Sequence, residues 1–335
     1  MTLEALFSLK ARTGIAALTF VAVVMPLPAA ADAFVFNTGN PHGLVATATR
    51  PESAGKFEIE TGDDFVLTQQ MLITAAAFTG LIPSGASTSD IKNVVVEVYR
   101  VFPADSNVGR TSGPPIFSTP NVPTRVNSPS DVALDQRQFS AGSPGLVAIV
   151  QQGSFTALNS VKPGGIHPLP NVFTGGNGAV TGQETVISVD FTTPFNLPAD
   201  HYFFVPQVEL SNGDFFWLSA PRPIVPPGTP FPPGFTDLQS WTRDASNGGI
   251  EPDWLRIGTD ITGQGPFNAA FVLNGVAVPG PIAGAGLPGL AAGMRCPADA
   301  GASPSEDYYY SDDDTYVAFG SEQSAAAIFG FLCVA

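Results

Sequence analysis

The chain has 335 residues, 44% of them hydrophobic and only 13% charged, against roughly 25% charged in an average soluble domain. Its 25 phenylalanines exclude a disordered chain, which has too little apolar surface to offset ordering entropy. The net charge of −15 argues against nucleic acid as a partner, because phosphate binding needs clustered Lys and Arg.

In chain order, the first feature is an address. Lys10 and Arg12 precede an uncharged apolar run at 13–24, followed by Pro26, Pro28 and the small residues Ala29, Ala30, Ala31 and Ala33. This is the pattern of a secretory signal peptide, 1–33, cut by signal peptidase after Ala33, with Ala31 as the alternative. At about a dozen residues the run is short for the roughly 20 that span a bilayer. The mature chain is therefore expected to be exported: periplasmic, on the cell surface or extracellular.

Residues 34–277 read as one all-β domain, an antiparallel β-sandwich of jelly-roll type with ten to twelve strands and long Pro/Gly-rich loops. KFEIE at 56–60 alternates, placing Phe57 and Ile59 on one face and the charges on the other. VVVEVYRVF at 94–102 is the richest β stretch, and Val95, Glu97, Tyr99 and Val101 share a face. Residues 103–144 read as a polar loop. At 185–192, Ile187, Val189 and Phe191 point inward. A hairpin is expected at 201–220, turning at Asn212-Gly213, because Asn-Gly supports a type I′ turn. Residues 221–235 hold seven prolines, too many for an inner strand. A second Asn-Gly, Asn274-Gly275, predicts another turn. A Pro/Gly linker, 278–290, leads to an acidic tail, 291–335, that has one arginine against seven acidic residues and is expected to be disordered. Both cysteines, Cys296 and Cys333, lie in this tail, so 34–290 has no disulfide, thiolate metal site or Cys nucleophile.

The residues offer little catalysis. No G-x-S-x-G, H-E-x-x-H, P-loop or G-x-G-x-x-G motif occurs. His42, His167 and His201 stand in loops or at a strand edge, and read as solvated or structurally bonded. Carboxylate-pair chemistry of the glycosidase kind leaves no trace in spacing. Asp63, Asp64 and Asp214 are candidate Ca²⁺ ligands, set beside the plainer reading of solvated turn carboxylates. Trp241 and Trp254 are candidates for stacking on a sugar, set beside core packing. These readings make the chain a non-enzymatic protein, with a secreted carbohydrate-binding or carbohydrate-hydrolysing module as the alternative.

Val278-Pro279-Gly280-Pro281 and the following Gly284-to-Leu290 stretch resemble the start of a PEP-CTERM sorting signal. Phe36-Asn37-Thr38-Gly39-Asn40-Pro41, KFEIETGDDFVLT at 56–68, ADHYFFVPQV at 199–208 and WLRIGTD at 254–260 resemble a group of exported bacterial proteins that carry this signal. The resemblance implies a cell-surface or extracellular-matrix protein of an exopolysaccharide-making, Gram-negative bacterium. It would associate with polysaccharide or biofilm and be processed by an exosortase-type enzyme. Two departures stand out. Gly280 replaces the usual Glu, and after Leu290 the apolar helix and basic cluster are replaced by the acidic tail. A +1 reading of the codons for 297–306 can encode an apolar run followed by basic residues, so a frameshift near residue 290 would account for the tail. As written, the chain is expected to lack a stable membrane anchor: 275–292 is broken by three prolines, and 325–335 is half a span.

Overall fold

The computed structural model describes residues 32–106, 126–166, 173–245 and 254–278. All of them belong to one compact unit, Met1–Ile282; the second unit, Ala283–Ala335, falls outside the described residues. The expected signal peptide up to Ala31, His167, the residues Pro279, Gly280 and Pro281 of the expected sorting motif, and the acidic tail therefore lie outside them too.

The described chain is all-β, in fifteen strands. The first five are β1 (Ala33–Asn37), β2 (Val45–Ala48), β3 (Ile59–Leu67), β4 (Met71–Pro83) and β5 (Ile91–Arg100). β6 (Asp135–Ser140), β7 (Leu146–Ala157), β8 (Asn159–Val161), β9 (Val180–Leu197) and β10 (Asp200–Leu210) follow. The last are β11 (Phe216–Ala220), β12 (Trp241–Asp244), β13 (Leu255–Arg256), β14 (Asn268–Ala269) and β15 (Phe271–Ala277). Two short helical turns, Thr88–Asp90 and Ile257–Ile261, complete the described elements.

Nine strands make one sheet. Its path runs β1-β15-β4-β11-β2-β8, β9 and then β7 extend from the other edge of β4, and β14 pairs with β11. The other sheet runs β13-β12-β3-β10-β5-β6. All pairs are antiparallel except β2 with β8. Alternate residues from both sheets meet in one core: Phe65, Val94, Val96, Val98, Tyr202 and Phe204 from the six-stranded sheet, Phe78, Ile187, Val189, Trp217 and Phe271 from the nine-stranded one. Phe204 stacks on Phe271 at 5.1 Å and meets Trp217 edge-on at 6.0 Å. Burial of these rings contributes about 25 cal/mol per Å² of apolar area. The inward set Ile187, Val189 and Phe191 is buried as its alternation predicts.

Three expectations are corrected. Residues 201–220 do not form a hairpin: β10 belongs to the six-stranded sheet and β11 to the nine-stranded one, so the chain crosses the core at 211–215. Gly213 has φ +75° but Asn212 is not left-handed, whereas a type I′ turn needs both. Instead, Ser211 N–H donates to Asp90 O at 2.8 Å and Asp214 pairs with Arg50 at 2.5 Å, pinning the crossing at both ends. Asn274-Gly275 makes no turn either. It lies inside β15 at a bulge where β4 carries the extra residue Thr74. There a Cβ on residue 275 would come within 2.5 Å of Leu72 O, so glycine serves close approach. The loop expected at 103–144 contains β6, which adds to β5.

Candidate functional site

β3, IETGDDFVL, buries all nine residues, including Glu60, Asp63 and Asp64. Asp63 and Asp64, read from the sequence as solvated turn carboxylates, are buried within the strand, and Glu60 and Asp64 share its face turned away from the main core. That face is covered instead by Leu238, Trp241 and Trp254, which pack with Tyr99, Phe203 and Val205. Buried carboxylates need hydrogen bonds or partner charges, and β3 obtains them in two constellations.

The first lies where β12, β3, β10 and β5 run side by side. Tyr99 and Glu97 share a face of β5, and Arg243 sits opposite Glu60 in the β12–β3 register. The Tyr99 hydroxyl reaches Glu60 and, at 3.0 Å, Glu97 Oε2. The Arg243 guanidinium grips both Glu60 oxygens, donates to Asp131 O at 3.1 Å and lies over the Trp254 ring at 4.6 Å. Trp254 Nε1–H in turn donates to Ser130 O at 3.0 Å. Burial first, then the neighbouring Glu60 charge, pushes Glu97 up to about 8. Burial and the same charge push Tyr99 well above its ordinary range. At neutral pH the group is thus a protonated Glu97 beside a Glu60–Arg243 ion pair, close to neutral overall.

The second constellation surrounds the Asp63-Asp64 pair. Neighbours on a strand point to opposite faces, so the two carboxylates part company. Asp63 turns into the core, where it accepts from Ala269 N–H at 2.9 Å and Ser240 Oγ–H at 3.0 Å. Asp64 turns outward, meeting His201 Nε2 at 2.6 Å and Leu238 N–H at 3.1 Å. Burial raises both, Asp64 to about 6 with His201 opposing, and Asp63 further under the added charges of Asp64 and Asp237. His201 is flanked by Phe231 and Phe235 of the proline-rich segment, at 6.1 and 6.2 Å. That segment is fastened by Arg222 on Asp237 at 2.9 Å, and it contains no strand, as its prolines require.

The Ca²⁺ candidates do not converge. Asp63 and Asp64 face opposite ways, and Asp214 is engaged by Arg50 and by Lys56 at 3.6 Å. Trp241 and Trp254 are 2% and 0% exposed, which leaves no ring face for a sugar. His42 Nδ1 lies 2.9 Å from Ser219 O. Two clefts of about 330 and 370 Å³ open elsewhere, one beside Thr88, Ser89 and Leu146, the other beside Ile82, Thr181 and Asp214. Neither reaches the acidic constellations. Sequence reasoning missed Glu60, Glu97, Tyr99 and Arg243 as a group. The shared face of Glu97 and Tyr99 was readable, but the two partners come from strands about 40 and 144 residues away.

No family model matches the chain, and no curated protein or solved structure matches it.

Proposed function

We propose that this chain is an exported, non-enzymatic protein of the cell surface or extracellular matrix, associated with exopolysaccharide or biofilm. One observation carries the reading. The strongly perturbed carboxyl groups, which in an enzyme would line a cleft, here tie strands to one another beneath aromatic cover. Glu60 and Glu97 share one tyrosine hydroxyl, whereas glycoside cleavage needs carboxyls about 5–9.5 Å apart with a sugar between them. The basic-then-apolar N-terminus supports export, with signal peptidase as the first partner. The Val278-to-Pro281 motif supports handling by an exosortase-type enzyme. We assign the architecture to the jelly-roll type, on the strength of the chain's repeated crossing between sheets at β2–β3, β3–β4, β4–β5 and β9–β10–β11.

The test uses the mature protein from expressing cells. It is expected in the soluble exported fraction, silent in a reducing-sugar assay with polysaccharide substrates. Sugar release, or protein that stays in carbonate-washed membranes, would overturn the reading.

A further inference from the structure

Beyond the two Asn-Gly pairs read as turns, the chain holds two more, so that asparagine precedes glycine at 177, 212, 247 and 274. The pair has a chemistry of its own. A backbone nitrogen that follows asparagine can attack the side-chain carbonyl carbon and close a succinimide ring, and a glycine nitrogen, with no Cβ beside it, is the least shielded. The attack needs two freedoms: the N–H must be unbonded, and the peptide must be able to turn towards the side chain. Asn247 lies outside the described residues. The fold treats the other three unequally.

Asn177 is fastened on every side. Its backbone N–H donates to Ser160 O at 2.8 Å, its Oδ1 accepts from Lys162 N–H at 2.8 Å, and the Gly178 N–H is spent on Asn159 Oδ1 at 3.0 Å. Asn274 lies inside β15, opposite Val35 of β1 on one flank and Ala75 of β4 on the other, so the ladders oppose any turn of its peptide. Asn212 has neither restraint. It is exposed where the chain crosses between the sheets, and among the described residues nothing bonds its side chain or the Gly213 N–H. What is held there is the next carbonyl: Lys56 Nζ donates to Gly213 O at 2.5 Å. The fold requires glycine at 213, because φ is +75° and a Cβ would come within 2.6 Å of Pro83 Cγ. It makes no use of the Asn212 side chain.

We propose that Asn212-Gly213 is a self-modifying site, at which this chain converts its own asparagine to isoaspartate and aspartate with water as the co-reactant. The Gly213 nitrogen gives its proton to solvent base and bonds to Asn212 Cγ. The Cγ–Nδ2 bond then breaks, and Nδ2 takes up a proton and leaves as ammonia. Water opens the resulting succinimide at either carbonyl, with no oxidation or reduction. Breaking the new N–Cγ bond restores the original backbone with a carboxylate at 212. Breaking the bond from that nitrogen to the backbone carbon of residue 212 leaves the main chain running through Cβ and Cγ, one atom longer. Position gives the product its effect. The crossing is pinned by Ser211 on Asp90 at 2.8 Å and by Asp214 on Arg50 at 2.5 Å. Just beyond it, Phe215 is fully buried against Phe78 at 5.8 Å. An extra main-chain atom between the pins slackens the crossing, and each conversion adds a negative charge to a chain already at −15. The inference rests on this chain's own chemistry and holds whether or not the matrix assignment does.

Storing the folded full chain at mildly alkaline pH, and mapping its peptides by mass spectrometry with isoaspartate resolved, tests it. A second sample held in denaturant gives the rate of each site without the fold. There Asn177, Asn212 and Asn274 should convert at similar rates. In the folded chain Asn212 should keep its denatured rate, while Asn177 and Asn274 slow at least about tenfold, since each must first give up hydrogen bonds that hold its backbone. Asn212→Gln lengthens the side chain and disfavours the ring. This variant should melt at the temperature of the fresh wild-type chain and keep it on storage, whereas the stored wild-type chain should gain charge and melt lower. A folded-state rate at Asn212 that falls with the other two, or a site at 212 that stays amidated while Asn177 or Asn274 converts, overturns the inference. So does an equal loss of melting temperature in stored wild-type and Asn212→Gln chains, which would place the change elsewhere.

Discussion

Glu97 keeps its proton in the folded protein because ionising it would bury a second negative charge beside Glu60. Its folded pKa is raised, so its contribution to stability is complete below its ordinary 4.5 and is lost as pH rises through about 8. Asp64 has the same sign, and its contribution is lost as pH rises through about 6. The melting temperature is therefore expected to be highest in mild acid and to fall towards pH 8. Glu97→Gln keeps the shape without the charge, and a thermal series should show the upper part of that fall flattened. An equal fall in both proteins would refute the assignment. Arg243→Ala strands the ionised Glu60 in the interior, which costs about 3–5 kcal/mol, readable as a lower denaturant midpoint. Tyr99→Phe removes only the shared hydroxyl and should cost less, about 1–3 kcal/mol.

Strands are the level at which local sequence spoke best, and turns the level at which it misled. The alternation of Ile187, Val189 and Phe191 is a property of one segment, and burial followed it. The β5 pattern was equally readable, with Val94, Val96 and Val98 in the core and Glu97 and Tyr99 on the other face. Both Asn-Gly pairs have hairpin chemistry, yet their backbones answer to distant neighbours: Pro83 crowds Gly213, and Leu72 O crowds Gly275. Nothing near Glu60 in sequence announces Arg243, because the pairing exists only once β12 has joined β3. Gly80 shows how tightly such neighbours fit. A Cβ there would lie 2.2 Å from the Phe215 ring and 2.5 Å from Phe216 O. A ring can shift but a backbone oxygen in a ladder cannot, so Gly80→Ala should destabilise by about 1–3 kcal/mol or more. Chemical denaturation would show it, and an unchanged midpoint would mean that β11 yields more easily than its burial suggests.

At the scale of the molecule, the core of 32–278 is closed by its own ends. β1 pairs with β15, and Thr38 donates to the carbonyl oxygens of Ala269 and Phe271, the latter 233 residues away. A chain ended after residue 278 should melt at the temperature of the full-length chain, whereas one ended at 270 should not fold, because β4 and β1 then lose their common neighbour. A cooperative transition in the shorter chain would show that β15 is dispensable. The same closure bears on timing. Contacts of such high sequence separation form slowly, since a long loop must close before any of them can form. On the export proposed above, a chain emerging from a membrane channel N-terminus first would lack β15 until nearly all of its sheet-forming sequence had crossed. It would stay threadable through most of that passage and commit to its shape only on arrival. Refolding from denaturant in stopped-flow is accordingly expected in the millisecond-to-second range of non-local β topologies, with the β1–β15 amides among the last to gain protection.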